Sequence, residues 1–194
     1  MLSLGQVGGE VPRSDERGWS RFSFMTNREF HLQCRKSETL AFLRVLNALP
    51  HDKFDYTPHE KSQTVAGIVW TLIGEAQACI QLIDTGELTF GPPPELPPAQ
   101  MIEAFEQTWD RLLHKVETMD ETAWNRIGRF MMNGQVRMEQ PTSQFLWLFF
   151  FDAIHHRGQL STYIRPMGGK VPPIYGPSGD DPQMLSVAHK RMEI

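Results

Sequence analysis

Apolar side chains recur at helical spacing along most of the chain after residue 25. Over residues 28–49 the positions Phe30, Leu32, Cys34, Leu40, Phe42, Leu43, Val45, Leu46 and Leu49 mostly follow a 3.6-residue rhythm. Pro50 stops it, so a first helix is predicted there, opened by Met25-Thr26-Asn27. A polar connector over 51–61 leads to Ser62 or Thr64 as an N-cap. The second stripe then runs through Val65, Ile68, Val69, Leu72, Ile73, Ala76, Ile80 and Ile83 and ends at Gly86. The proline-rich stretch 91–98 cannot be helical, because proline lacks the amide donor and pushes its predecessor to extended backbone. A third stripe follows through Met101, Ile102, Phe105, Trp109, Leu112, Leu113 and Val116. Between Asp120 and Pro141 the rhythm fails, and Asn133-Gly134 marks a short hairpin or an irregular excursion. A fourth long helix over 142–165, capped by Thr142 or Ser143, is apolar on every side over 145–151. An extended loop over 166–177 and a short last helix over 182–192 complete an all-α, four-helix-bundle expectation.

Length and charge narrow the picture. With 194 residues, the chain needs no second core, so residues 25–194 are read as one domain and 1–24 as a loosely ordered extension. The 19 Lys+Arg and 23 Asp+Glu give a net charge of −4, with no basic stripe for nucleic acid and no polybasic run for an anionic membrane. The longest apolar run, 145–151, is far short of the roughly 20 residues a bilayer span requires. Cys34 and Cys79 lie inside helical patterns without C-x-x-C spacing, which points to buried free thiols in a reducing compartment, the cytoplasm. The all-round apolar girth of the last helix calls for cover on every face, supplied either by a second copy in a homodimer or by the connectors and tail of one monomer.

Chemistry concentrates at Asp152-Ala153-Ile154-His155-His156-Arg157-Gly158-Gln159, where polar side chains enter a helix that had been apolar for two turns. Asp152 and His156 stand at i and i+4, on one face, close enough to share a cation or a hydrogen bond. His155 projects about 100° away from His156, so only one of them faces the bundle, and Gln159 is placed to orient His155. Glu75 interrupts the second stripe one turn after Thr71; pointing inward it would be a third ligand or an ion-pair partner, pointing outward a solvated charge. His59 precedes the second helix, at the mouth of such a site or in a solvated turn. His31, His51, His114 and His189 show no grouping and are read as surface or interface residues.

The run His155-His156-Arg157-Gly158-Gln159-Leu160-Ser161-Thr162-Tyr163-Ile164-Arg165, with Met167-Gly168-Gly169-Lys170-Val171-Pro172 behind it, resembles the closing helix and tail of the DinB/YfiT-like family, and Trp70 matches its second helix. The resemblance covers about residues 26–178. It implies an up-down-down-up bundle, often dimeric, with a divalent metal held by three histidines, and in some relatives a stress-linked or thiol-dependent chemistry. Position by position, His156 matches the last of those histidines, Asp152 stands where its partner would be, and Thr71 where the second-helix histidine would be. A site built here therefore takes His156, Asp152 and Glu75 as ligands for zinc, nickel, manganese or iron, with His155 or His59 as proton carrier. Two functional readings follow: a metal-dependent transferase or hydrolase acting on a small molecule with a thiol cosubstrate, or a metal-free small-molecule-binding scaffold in which the same side chains form a hydrogen-bonded network.

Overall fold

The computed structural model describes residues 25–93 and 95–181; the expected extension over 1–24, the expected last helix over 182–192 and His189 lie outside the described residues. Helix α1 (Asn27–Asn47) opens with a capping box, in which Glu29 N donates to Thr26 Oγ1 and Thr26 N donates back to the Glu29 carboxylate. Helix α2 (Val65–Thr85) is capped by Thr64, whose hydroxyl accepts from Gly67 N, and it ends at Gly86 in the left-handed conformation. Helix α3 (Pro98–Thr118) takes in Pro98, contrary to the expectation of a non-helical stretch through that residue; in the first turn a missing amide leaves no hydrogen bond unmade, so proline is tolerated there. Helix α5 (Thr142–Ile164) departs from expectation at its start: neither Thr142 nor Ser143 caps it. The Thr142 amide and hydroxyl both donate to the Arg126 carbonyl, so a tertiary anchor sets where the helix begins.

The excursion before α5 is ordered. A five-residue helix α4 (Glu121–Asn125) precedes a hairpin of β2 (Ile127–Met132) and β3 (Gln135–Pro141). Asn133 and Gly134 both take positive φ, 52° and 72°, as a two-residue turn between right-twisted strands requires. The all-α expectation is amended by a third strand, β1 (Glu87–Leu88), which pairs parallel with β2 in the order β1-β2-β3. Two residues carry no detectable period, so this strand has no sequence signature. Gly128 lets β2 lie against α2, since a Cβ there would collide with Leu82.

The long helices pack as the pairs α2–α3, α2–α5, α1–α3 and α1–α5. Lys115, near the end of α3, pairs with Asp84 near the end of α2. Arg28, at the start of α1, donates to the carbonyls of Val116 and Glu117 at the end of α3. The core centres on Phe42, Phe105 and Trp109, whose ring centroids lie 4.7–5.6 Å apart. Burying each such ring contributes about 1.5–3 kcal/mol or more. Among the described residues one helix, α2, is long and apolar enough to cross a membrane; its apolar side chains here form the core between α3 and α5.

Helix α1 does not bury the whole face its apolar pattern predicts. Phe30 and Leu40 are 50% and 62% exposed, whereas His31 and Arg35 are buried. His31 is thus no surface residue, unlike the exposed His51 and His114. The inward register 31-35-42-46 is the same helical face continued through polar residues, and the aromatic and hydrogen-bonding partners that make their burial tolerable come from α3, α4 and α5.

Candidate metal centre

Helix α2 presents Glu75 and helix α5 presents Asp152 and His156, and one donor atom from each lies within 4.8 Å of the others. Glu75 faces inward and is 4% exposed. His156 is largely buried, and its Nε2 lies 3.5 Å from Asp152 Oδ2 on the half-exposed aspartate. Its other nitrogen, Nδ1, donates to Gln159 Oε1 at 2.7 Å. That hydrogen bond leaves the lone pair on Nε2, aimed toward the carboxylates, the arrangement a metal-binding imidazole needs. Gln159 therefore orients His156, not His155 as the sequence suggested. It stands three residues beyond His156, a spacing that meets on a helix face as readily as four.

The remaining predicted residues lie around this cluster rather than in it. His155 is exposed, its ring centroid 5.4 Å from that of His156. His59 is exposed in the connector before α2, where its Nδ1 accepts from Lys61 N. Thr71 turns its hydroxyl back to donate to the Gly67 carbonyl at 3.0 Å.

Glu75 Oε2 is buried and accepts no hydrogen bond, which leaves a polar atom without compensation in the core. Burial, followed by the hydrogen bond and negative charge of Asp152, pushes the Glu75 carboxyl up to about 9, opposed only in part by Arg35. Two carboxylates and one imidazole thus converge with an uncompensated oxygen among them. That donor set fits a divalent cation of the manganese, iron, nickel or zinc kind, and the exposed side of Asp152 leaves positions open to solvent.

Behind Glu75 lies a buried cation that the sequence reading missed. Arg35 sits between the rings of Trp109 and Phe150, 4.9 Å from each centroid. It donates from Nε to His31 and from Nη2 to the Leu146 carbonyl, each at 3.2 Å. Burial first, and then the Arg35 charge, push the His31 imidazole down to about 3, so it stays neutral and can accept. The available signal was spacing: His31 and Arg35 are one turn apart on the face that continues to Phe42 and Leu46. Beside Glu75, on the α2 side, opens a cavity of about 310 Å³ lined by Trp70, Thr71, Gly74, Glu75, Phe90 and Gly91.

Comparison with known proteins agrees with this architecture. The uncharacterized protein YrdA of Bacillus subtilis is 27% identical over 152 aligned residues, covering 74% of this chain and 85% of the relative. Among solved structures, the DinB-like protein YjoA of Bacillus subtilis superposes with a TM-score of 0.59 at 18% identity, over 75% of this chain and 96% of its own. A DinB-like protein from Bacillus cereus gives 0.59 at 20% identity, over 76% and 97%. A mycothiol-dependent maleylpyruvate isomerase gives 0.54 at 16% identity, over 75% of this chain and 64% of that longer one. At these identities the structural likenesses establish the fold alone. The model of the DinB family matches residues 25–192, nearly the whole chain, and the protein belongs to that family.

Proposed function

We propose that this protein is a divalent-metal-dependent enzyme acting on a small molecule, a thiol-linked transferase or a hydrolase, with His156, Asp152 and Glu75 as ligands. The single observation that carries the reading is the buried, unpartnered Glu75 Oε2 beside a half-exposed aspartate and an imidazole held by Gln159. When bound, the ion would supply a Lewis acid that lowers the pKa of a coordinated water or thiol. Gln159 holds the proton on His156 Nδ1, and Asp152 keeps one side of the cluster open to solvent. His155, exposed and next to the His156 ring, is the nearer proton carrier, and His59 the more distant one. Fold likeness to a mycothiol-dependent isomerase supports the thiol as cosubstrate.

The up-down-down-up order fits the contacts of the helix ends, where the ends of α2 and α3 meet each other and the start of α1. A cytoplasmic homodimer completes the reading. Its support is an apolar groove of about 390 Å³ on the α1 and α5 face, with Phe30, Trp147 and Phe151 in its wall. Light scattering at twice the 22.3 kDa of one chain would bear out the dimer.

The test of the metal is elemental analysis of protein purified without chelator, beside His156→Ala. Stoichiometric metal in the parent, lost in the variant, sustains the enzyme. Metal in neither favours the second reading, a metal-free binding scaffold in which a protonated Glu75 hydrogen-bonds Asp152.

A further inference from the structure

We infer that the cavity beside Glu75 seats a flat, apolar carbon skeleton, aromatic or conjugated, whose single polar end reaches the metal. This rests on the metal reading above and adds to it the class of substrate. Gly74 lies in the interior of α2, where glycine is about 1 kcal/mol less favourable than alanine. Packing does not require it: a Cβ built there would meet nothing closer than Phe90 Cδ1 and Trp70 Cε2, each at 4.0 Å. The missing side chain leaves that part of the cavity wall open. Trp70 and Phe90 wall it, and the two ring atoms beside Gly74 are no more than twice that distance apart. A gap no wider than that admits at most one flat layer of carbon at contact distances of about 3.5–4.0 Å to each wall.

The Phe90 wall is held from behind. Its ring meets Phe130 of β2 at 5.7 Å and Phe149 of α5 at 5.8 Å, both edge-on, so the small sheet positions the mouth of the cavity. Phe149 also lies one turn before Asp152, on the side of α5 that carries the cluster. The chemistry of the lining excludes other classes. Among the described residues it contains no Lys, Arg or His, the ionisable group in it is Glu75, and the Thr71 hydroxyl already donates into its own helix. A substrate with a second charged group away from the metal meets no counter-charge in this lining, whereas a planar apolar body with one metal-seeking group is matched at both ends.

The test uses cobalt-loaded full-length protein titrated with acetate, benzoate and cyclohexanecarboxylate, following the cobalt absorption. These probes share one carboxylate and differ in the attached carbon body. Benzoate is expected to bind on the order of tenfold tighter than acetate, and tighter than the puckered ring. Gly74→Leu, which improves helix propensity and grows into the cavity, should erase the benzoate preference with cobalt stoichiometry unchanged. Phe90→Ala, at a half-exposed loop position, should weaken it and provides the test should the leucine variant not fold. Equal affinities in the parent, or a preference that survives both substitutions, would overturn the inference alone. A chain that takes up no cobalt would overturn the metal reading and this inference with it.

Discussion

His156 and Arg157 are consecutive on α5 and point about 100° apart, and each enters a polar cluster inside the bundle. On the Arg157 side the charges close. Its Nη1 pairs with Glu38 of α1, its Nη2 donates to the Tyr175 hydroxyl, and that hydroxyl donates to Glu38 Oε1 at 2.9 Å. The guanidinium also lies 5.0 Å from the ring centroids of Phe42 and Tyr175. One cation meets one anion, and although Arg157 Nε lacks an acceptor, the set clamps the loop after α5 onto α1. On the His156 side two carboxyl groups face one imidazole, Arg35 behind them offsets only part of the Glu75 burial, and a buried oxygen accepts no hydrogen bond. Burial is common to both clusters. What separates a structural clamp from a site that a cation would complete is the convergence of two carboxyl groups on one imidazole with a carboxyl oxygen that nothing donates to.

Removing one side of the clamp should have the largest effect on stability. Arg157→Ala leaves Glu38 half-paired among apolar neighbours and should cost about 3–5 kcal/mol in urea denaturation. Glu75→Gln in chelator-treated protein should cost less than about 1 kcal/mol or stabilise, because a neutral amide replaces an acid that is already protonated there. Comparable losses in the two variants would break the distinction between the clusters. Next in size is Gln159→Ala, which frees the His156 ring and should weaken metal affinity about 10–100-fold in calorimetric titration while leaving the melting temperature of the metal-free protein nearly unchanged.

The pH profile of the metal-free protein sharpens the same contrast. Glu75 is held at about 9 in the fold against 4.5 when exposed, so its contribution is fully present below pH 4.5 and is lost as pH rises toward about 9. Glu75→Gln should flatten that decline between pH 4.5 and about 9 in thermal melts. His31 works in the opposite sense: held at about 3 against 6.5, it contributes stability above pH 6.5 that is lost as pH falls toward about 3. The smallest effect concerns the thiols. Burial pushes Cys79 up to about 12, so iodoacetamide should label the partly exposed Cys34 and spare Cys79 in native protein, as intact mass would show.

Local chemistry made the helices legible. Thr26, Thr64 and Gly86 mark their ends through backbone hydrogen bonds and dihedral limits that depend on near neighbours only. Asn133-Gly134 announced the hairpin for the same reason. Of the site, the face shared by Asp152 and His156 is a matter of helical spacing, and Glu75 stood out because it broke an apolar stripe. The start of α5, the parallel β1 and the burial of His31 and Arg35 were not readable, since each depends on an atom from a distant part of the chain: the Arg126 carbonyl, strand β2 or the Leu146 carbonyl. The partner of Gln159 was open between His155 and His156, because spacings of three and four residues both meet on a helix face.

The sequence by itself thus determined the periodicity, the helix ends and which polar residues could share a face, because these are set within one or two turns of helix. Only the tertiary structure decided which polar side chain was left with a buried oxygen that accepts no hydrogen bond. That depends on what α1, α2 and the loop after α5 bring against each face of α5, and two adjacent residues, His156 and Arg157, meet opposite answers.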